Sequence, residues 1–140
     1  MMKILLLLAF GLTAVVAKKI PVQIGVKWED SIKDYKNQCL KKSGADLKQV
    51  DDFTHGVEFA NNEAIGCYYN CIYPKFNVIK EDGQFNVNQF TASFPWVSKE
   101  SAKKCASIAK PVSPECKKSY EMAKCIIMQL GSGNTISISH

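Results

Sequence analysis

Cys67 and Cys71 stand four residues apart in GCYYNCIYPKF, among three tyrosines and a phenylalanine. Cysteines at short spacing serve metal ligation, dithiol redox exchange or disulfide cross-linking. A metal site wants clustered Cys and His, and no histidine adjoins this pair. Redox dithiols are usually Cys-x2-Cys with a lowered thiol pKa, whereas three residues separate these two. That leaves cross-linking. Cys39, Cys105, Cys116 and Cys125 complete an even six, which in a small secreted chain reads as a disulfide framework.

General acid–base or nucleophilic catalysis most often rests on histidine, and the chain has two, His55 and His140. His55 follows Asp51 and Asp52 in VDDFTHG. It reads as a surface group at a helix end, where the dipole favours it, with pH sensing as its candidate function. The GSG at 131–133 lacks the strand context of a nucleophile elbow. The His-Asp dipeptide and Gly-rich calcium loop of secreted phospholipases are also missing. No enzyme activity, cofactor or metal is expected.

The elements that hold these residues begin with the front end. Lys3 precedes an apolar run from Ile4 to Val16, followed by Ala17. This reads as a signal peptide over residues 1–17, since a membrane span needs ~20 apolar residues. Residues 18–140 then form one secreted domain, with 131–140 as its tail. From Lys18 onward 17 lysines face 13 acids, and arginine is absent. The lysines come in short pairs interleaved with acids, as on solvated helix faces, and phosphate or base recognition usually recruits arginine. Nucleic-acid binding and stable membrane insertion are therefore not expected.

Apolar residues recur mostly at helical spacing, and no stretch sustains the alternation of a sheet, so the class is all-α. Trp28, Ile32, Tyr35 and Cys39 mark a first helix that Gly44 can end. Leu47, Val50 and Phe53 mark a second, closed near Gly56, and Ile65 to Phe76 a third with Pro74 at its exit. After the Glu81-Asp82-Gly83 turn, Phe85, Phe90 and Phe94 are expected on a short fourth helix. Ser98 caps a fifth, and Ser113 caps a sixth with Pro114 at its first position, running to Leu130 with Gly131 as its stop. Residues four apart on a helix face nearly the same way, so Cys67 and Cys71 cannot easily bond each other and must reach different neighbours. Cys116 and Cys125 lie on opposite faces of the sixth helix, which should be central.

The part after residue 17 holds 13 aromatics: both Trp, all five Tyr and six Phe. Core filling is the plain account of any one of them. As a set they also suit an apolar pocket, the usual form of a small-molecule site, in a fold that cross-links hold together.

Between successive cysteines lie 27, 3, 33, 10 and 8 residues. With the signal peptide, the length and the helical pattern, this spacing resembles the insect pheromone and general odorant-binding proteins over essentially the whole mature chain. The EDGQFNV stretch also looks like the acidic-Gly turn these proteins carry before their fourth helix, although the Cys71–Cys105 interval is short for the family. The resemblance implies a compact six-helix fold around an apolar cavity, with disulfides Cys39–Cys71, Cys67–Cys116 and Cys105–Cys125. It further implies reversible, non-catalytic binding of a small hydrophobic ligand such as an odorant, pheromone or fatty-acid-like molecule. An odorant receptor and a second copy of the chain are the further partners it leaves open. Helix-face reasoning then nominates as cavity lining Phe53, Ile65, Tyr69, Ile72, Phe76 and Phe90. Phe94, Trp96, Ile108, Tyr120, Ala123, Ile127 and Leu130 complete the set. Tyr69 or Tyr120 could donate a hydrogen bond to ligand oxygen. Two readings stand beside the odorant carrier: a carrier or trap in haemolymph, saliva or reproductive glands, and a cationic membrane-active protein of saposin type, whose six cysteines pair in a nested order.

Ile136 and Ile138 alternate with polar residues in the tail and could lie across a cavity mouth, although a frayed end is the plainer expectation. If the tail is ordered there, affinity should fall between about pH 7 and pH 5. Unchanged affinity in a chain ending at Leu130 would contradict that role.

Overall fold

The computed structural model describes residues 19–132. The expected signal peptide and the segment from 133 onward, including Ile136, Ile138 and His140, lie outside the described residues. Within them are six α-helices: α1 (Val22–Ser43), α2 (Leu47–Thr54), α3 (Glu63–Ile72), α4 (Val87–Ser93), α5 (Lys99–Ala109) and α6 (Glu115–Gly131). A 3₁₀ turn, Tyr73–Phe76, extends α3.

The helix ends follow from local chemistry. Gly44 takes a left-handed conformation (φ 71°) and returns its N–H to the Leu40 carbonyl, a conformation that glycine adopts without steric penalty. Asp46, Asn62, Asn86 and Ser98 each accept a backbone N–H three residues on, at the starts of α2, α3, α4 and α5. Three expectations need correction. Phe85 does not ride on α4. It precedes that helix and forms an isolated antiparallel bridge with Ile79 across the Gly83 turn. Pro114, not Ser113, occupies the cap position of α6 and supplies no side-chain bond. Gly131 is the last residue of α6 rather than its stop, the cap being Ser132.

α3 and α6 pack on each other most extensively, α1 lies against α3, and α5 bridges α6 and α4. Three disulfides tie this arrangement together: Cys39–Cys71 joins α1 to α3, Cys67–Cys116 joins α3 to α6, and Cys105–Cys125 joins α5 to α6. These are the pairs that the resemblance implies. Their order is interleaved, not nested as in the saposin-type alternative. They span 32, 49 and 20 residues of chain, and cross-links of that span stabilise by about 3–4 kcal/mol each in the chain-entropy account. Among the described residues no helix is long and apolar enough to cross a membrane.

The α3–α6 contact is unusually close, with the Cα atoms of Cys67 and Cys116 only 4.5 Å apart. Gly66 makes this approach feasible: a Cβ there would lie 2.2 Å from the Cys116 carbonyl oxygen. Backbone cannot swing aside as a side chain can, so a methyl group would push the two helices apart. Gly66→Ala should therefore lose about 3 kcal/mol in denaturant unfolding. Gly44→Ala, where nothing lies within 4 Å of an added Cβ, should lose only about 1–2 kcal/mol for its left-handed φ. Equal losses at the two positions would contradict this account of the interface.

Candidate functional site

The helical repeat brings residues from five helices to the centre of the bundle. Ile24 and Trp28 lie four apart on α1, and Ile20 precedes them by the same step. Tyr69 of α3 and Tyr73 of the 3₁₀ turn form another such pair, as do Phe90 of α4 and Phe94 just beyond it. Ala123, Ile126, Ile127 and Leu130 present the i, i+3, i+4, i+7 face of α6. Trp96, Val97 and Thr54, the last residue of α2, close the ring.

The rings interlock. Trp28 stacks over Tyr69 at a centroid distance of 6.0 Å and meets Phe94 at 5.3 Å. Phe94 in turn touches Phe90 at 5.0 Å and Trp96 at 5.8 Å. The result is a pocket of about 30 Å³, room for one or two waters. An odorant-sized molecule enters only if lining side chains turn aside.

Of the residues nominated from helix faces, Tyr69, Phe90, Phe94, Trp96, Ala123, Ile127 and Leu130 line this pocket. Phe53 and Tyr120 form a layer behind Tyr69, with Phe53 5.6 Å from the Tyr69 ring and 5.1 Å from that of Tyr120. The Tyr120 hydroxyl donates to the Ala60 carbonyl at 3.1 Å, away from the pocket. Ile65 and Ile72 are fully buried core residues, and Phe76 packs between Tyr35 and Phe94. Ile108 is corrected outright. It is 47% exposed on α5, whose buried face is built from the small residues Ser101, Ala102, Cys105 and Ala109. Ile20, Ile24, Trp28, Thr54, Tyr73, Val97 and Ile126 were not nominated. The Ile20–Ile24–Trp28 spacing carried a helical signal for three of them. Thr54 carried none, because its burial depends on a partner in another helix.

That partner is Tyr69: the Thr54 and Tyr69 hydroxyls hydrogen-bond each other inside the lining. Burial raises the Tyr69 pKa, against the opposing effect of the Thr54 bond. The hydroxyls of Tyr68 and Tyr73 are likewise raised, first by burial.

Outside the pocket, next to Trp28, lies a charged cluster. Lys36 Nζ bridges Glu29 at 2.8 Å and Asp51 at 2.9 Å, and these bonds hold its pKa up against partial burial, which lowers it. His55, the proposed pH sensor, caps α2, and its Nε2 stands 3.6 Å from Glu29 Oε1. Its ring packs on Gly25, where a Cβ would come within 2.9 Å, and its carbonyl accepts the Ile20 N–H at 3.2 Å. Glu29, Asp51 and His55 bring ligand-type atoms within 4.8 Å of one another, but the Lys36 ammonium already bridges both carboxylates as a cation there.

A raised tyrosine pKa means the folded state holds its proton longer than the unfolded chain does. Stability is then full below pH 10 and declines as pH rises past it. Tyr68, Tyr69 and Tyr73 should therefore stay protonated beyond their ordinary value of 10.0 and ionise only as helical circular dichroism is lost. Complete phenolate absorbance with native dichroism would contradict their burial.

The comparisons agree with this architecture. The family model of the PBP/GOBP family matches residues 23–129, from the start of α1 to the end of α6. General odorant-binding protein 99b of Drosophila melanogaster is 27% identical over 137 residues, covering 90% of this chain and 91% of that protein. The cysteine spacing, the six helices, their interleaved disulfides and the matched span together place the chain in the PBP/GOBP family.

Proposed function

We propose that this protein is a secreted, non-catalytic carrier that takes small hydrophobic molecules reversibly into its central pocket and moves them through aqueous fluid. The observation that carries this reading is the convergence of five helices on one apolar lining, Trp28, Tyr69, Phe94 and Ile127 among it, with the Thr54–Tyr69 hydroxyl pair, the Tyr73 hydroxyl and the Trp28 N–H as its few polar side-chain groups. Membership of the PBP/GOBP family supports it. Odorants or pheromones are the cargo we propose, and delivery to an odorant receptor is the proposed destination. Carriage in haemolymph, saliva or reproductive glands would use the same pocket.

A ligand that buries ~300 Å² of apolar surface gains ~7 kcal/mol gross, in the micromolar range. Part of that gain is spent turning the lining side chains outward. Binding is therefore expected to be selective for shape and slower than simple diffusion. The test is displacement of a fluorescent apolar probe from oxidised protein by volatile alcohols, aldehydes, esters and fatty acids. Saturable displacement at one site per chain is expected. Absence of saturable probe uptake would leave the aromatics as core filling and overturn the carrier reading.

A further inference from the structure

We infer that the pocket selects uncharged ligands bearing a hydrogen-bond acceptor, such as aldehydes, ketones and esters, and that the Trp28 indole N–H is the donor that recognises them. The inference rests on the carrier reading and concerns the chemistry of that same site.

Trp28 lines the pocket and stacks on two other lining rings, Tyr69 and Phe94. Its Nε1 is shut off from solvent and has no hydrogen-bond partner among the described residues. An indole nitrogen only donates, and a buried donor without an acceptor carries a desolvation penalty that a single acceptor atom removes. Across the stack, the Thr54–Tyr69 bond uses one of two hydroxyl protons. The second proton also calls for an acceptor, and the one other lining hydroxyl, that of Tyr73, brings a proton of its own, so a spare proton remains. On this inference, the indole N–H and one hydroxyl proton meet the ligand once the lining side chains turn aside.

Those protons would also suit a carboxylate, but the surroundings oppose a negative charge. No lysine or histidine lines the pocket among the described residues. Beside Trp28 and below Thr54 stand two carboxylates, Glu29 and Asp51, against one ammonium, Lys36. Their field is felt at the Tyr69 hydroxyl, where both acids raise its pKa. A carboxylate entering the pocket would lose its hydration without gaining a cation, which is a prohibitive exchange. A carbonyl oxygen faces no such obstacle.

The test is titration calorimetry with a matched series of one chain length: alkane, aldehyde, methyl ester and carboxylate, on wild-type protein and Trp28→Phe. The phenyl ring keeps the stack and removes the N–H. In the wild type, the aldehyde and ester should bind about tenfold more tightly than the alkane, and the carboxylate more weakly than its own methyl ester. In Trp28→Phe the ratio of carbonyl to alkane affinity should fall towards one, whatever change the smaller ring makes to alkane binding itself. A carbonyl advantage that survives the substitution, or a carboxylate that matches its ester in the wild type, would overturn the inference while leaving the carrier reading intact. The wild-type comparison decides the question even if the variant does not fold. No binding by any member of the series would overturn both.

Discussion

The close seating of α3 against α6 is the constraint on which the rest of the molecule depends. Gly66 allows the backbones to touch, Cys67–Cys116 locks the contact, and Cys39–Cys71 ties the same helix to α1 one turn later. Successive helix residues turn by about 100°, so Tyr69 lies about 200° from Cys67 and faces away from the cystines. The covalent face of α3 sets the spacing of the bundle, and the opposite face supplies the centre. Gripping the helix from one side is what delivers Tyr69 to Trp28 and Thr54.

This bracing also bears on how a nearly full pocket can take cargo. Creating about 150 Å³ of space in a packed core costs about 3–4 kcal/mol. In an unbraced domain of this size such a loss would be a large part of the net stability. In the proposed carrier the helices would be held by cross-links while the side chains between them turn aside and the ligand fills the space. The lining suits this: Ile126, Ile127 and Leu130 sit on the last turns of α6, and Trp28 is only partly buried on α1. The rigid parts and the adjustable parts are different residues.

Much of the frame was legible in the chain, because helix ends and stripes are local. Gly44 and Ser98 announced their roles by residue type, and the faces of Cys67 and Cys71 followed from helical rotation. The pocket was less legible because burial is decided by neighbours. Ile108 has the right period but lies where α5 approaches α6 through small residues, leaving nothing to cover it. Phe53 and Tyr120 point inward yet stop one layer short, behind Tyr69. Thr54 reads as a polar helix end until Tyr69 is placed beside it. Ser113 carries a capping signal that goes unused, since α6 begins beyond Pro114.

The central claim is that ligand enters among the lining rings, and both of the chain's tryptophans, Trp28 and Trp96, belong to that lining. Intrinsic tryptophan emission during titration with a methyl ester or aldehyde therefore reports on the pocket itself. The account predicts a saturable change in intensity or wavelength that follows the binding isotherm measured by calorimetry. Binding heat that saturates with the tryptophan emission unmoved would place the ligand elsewhere on the molecule and contradict it.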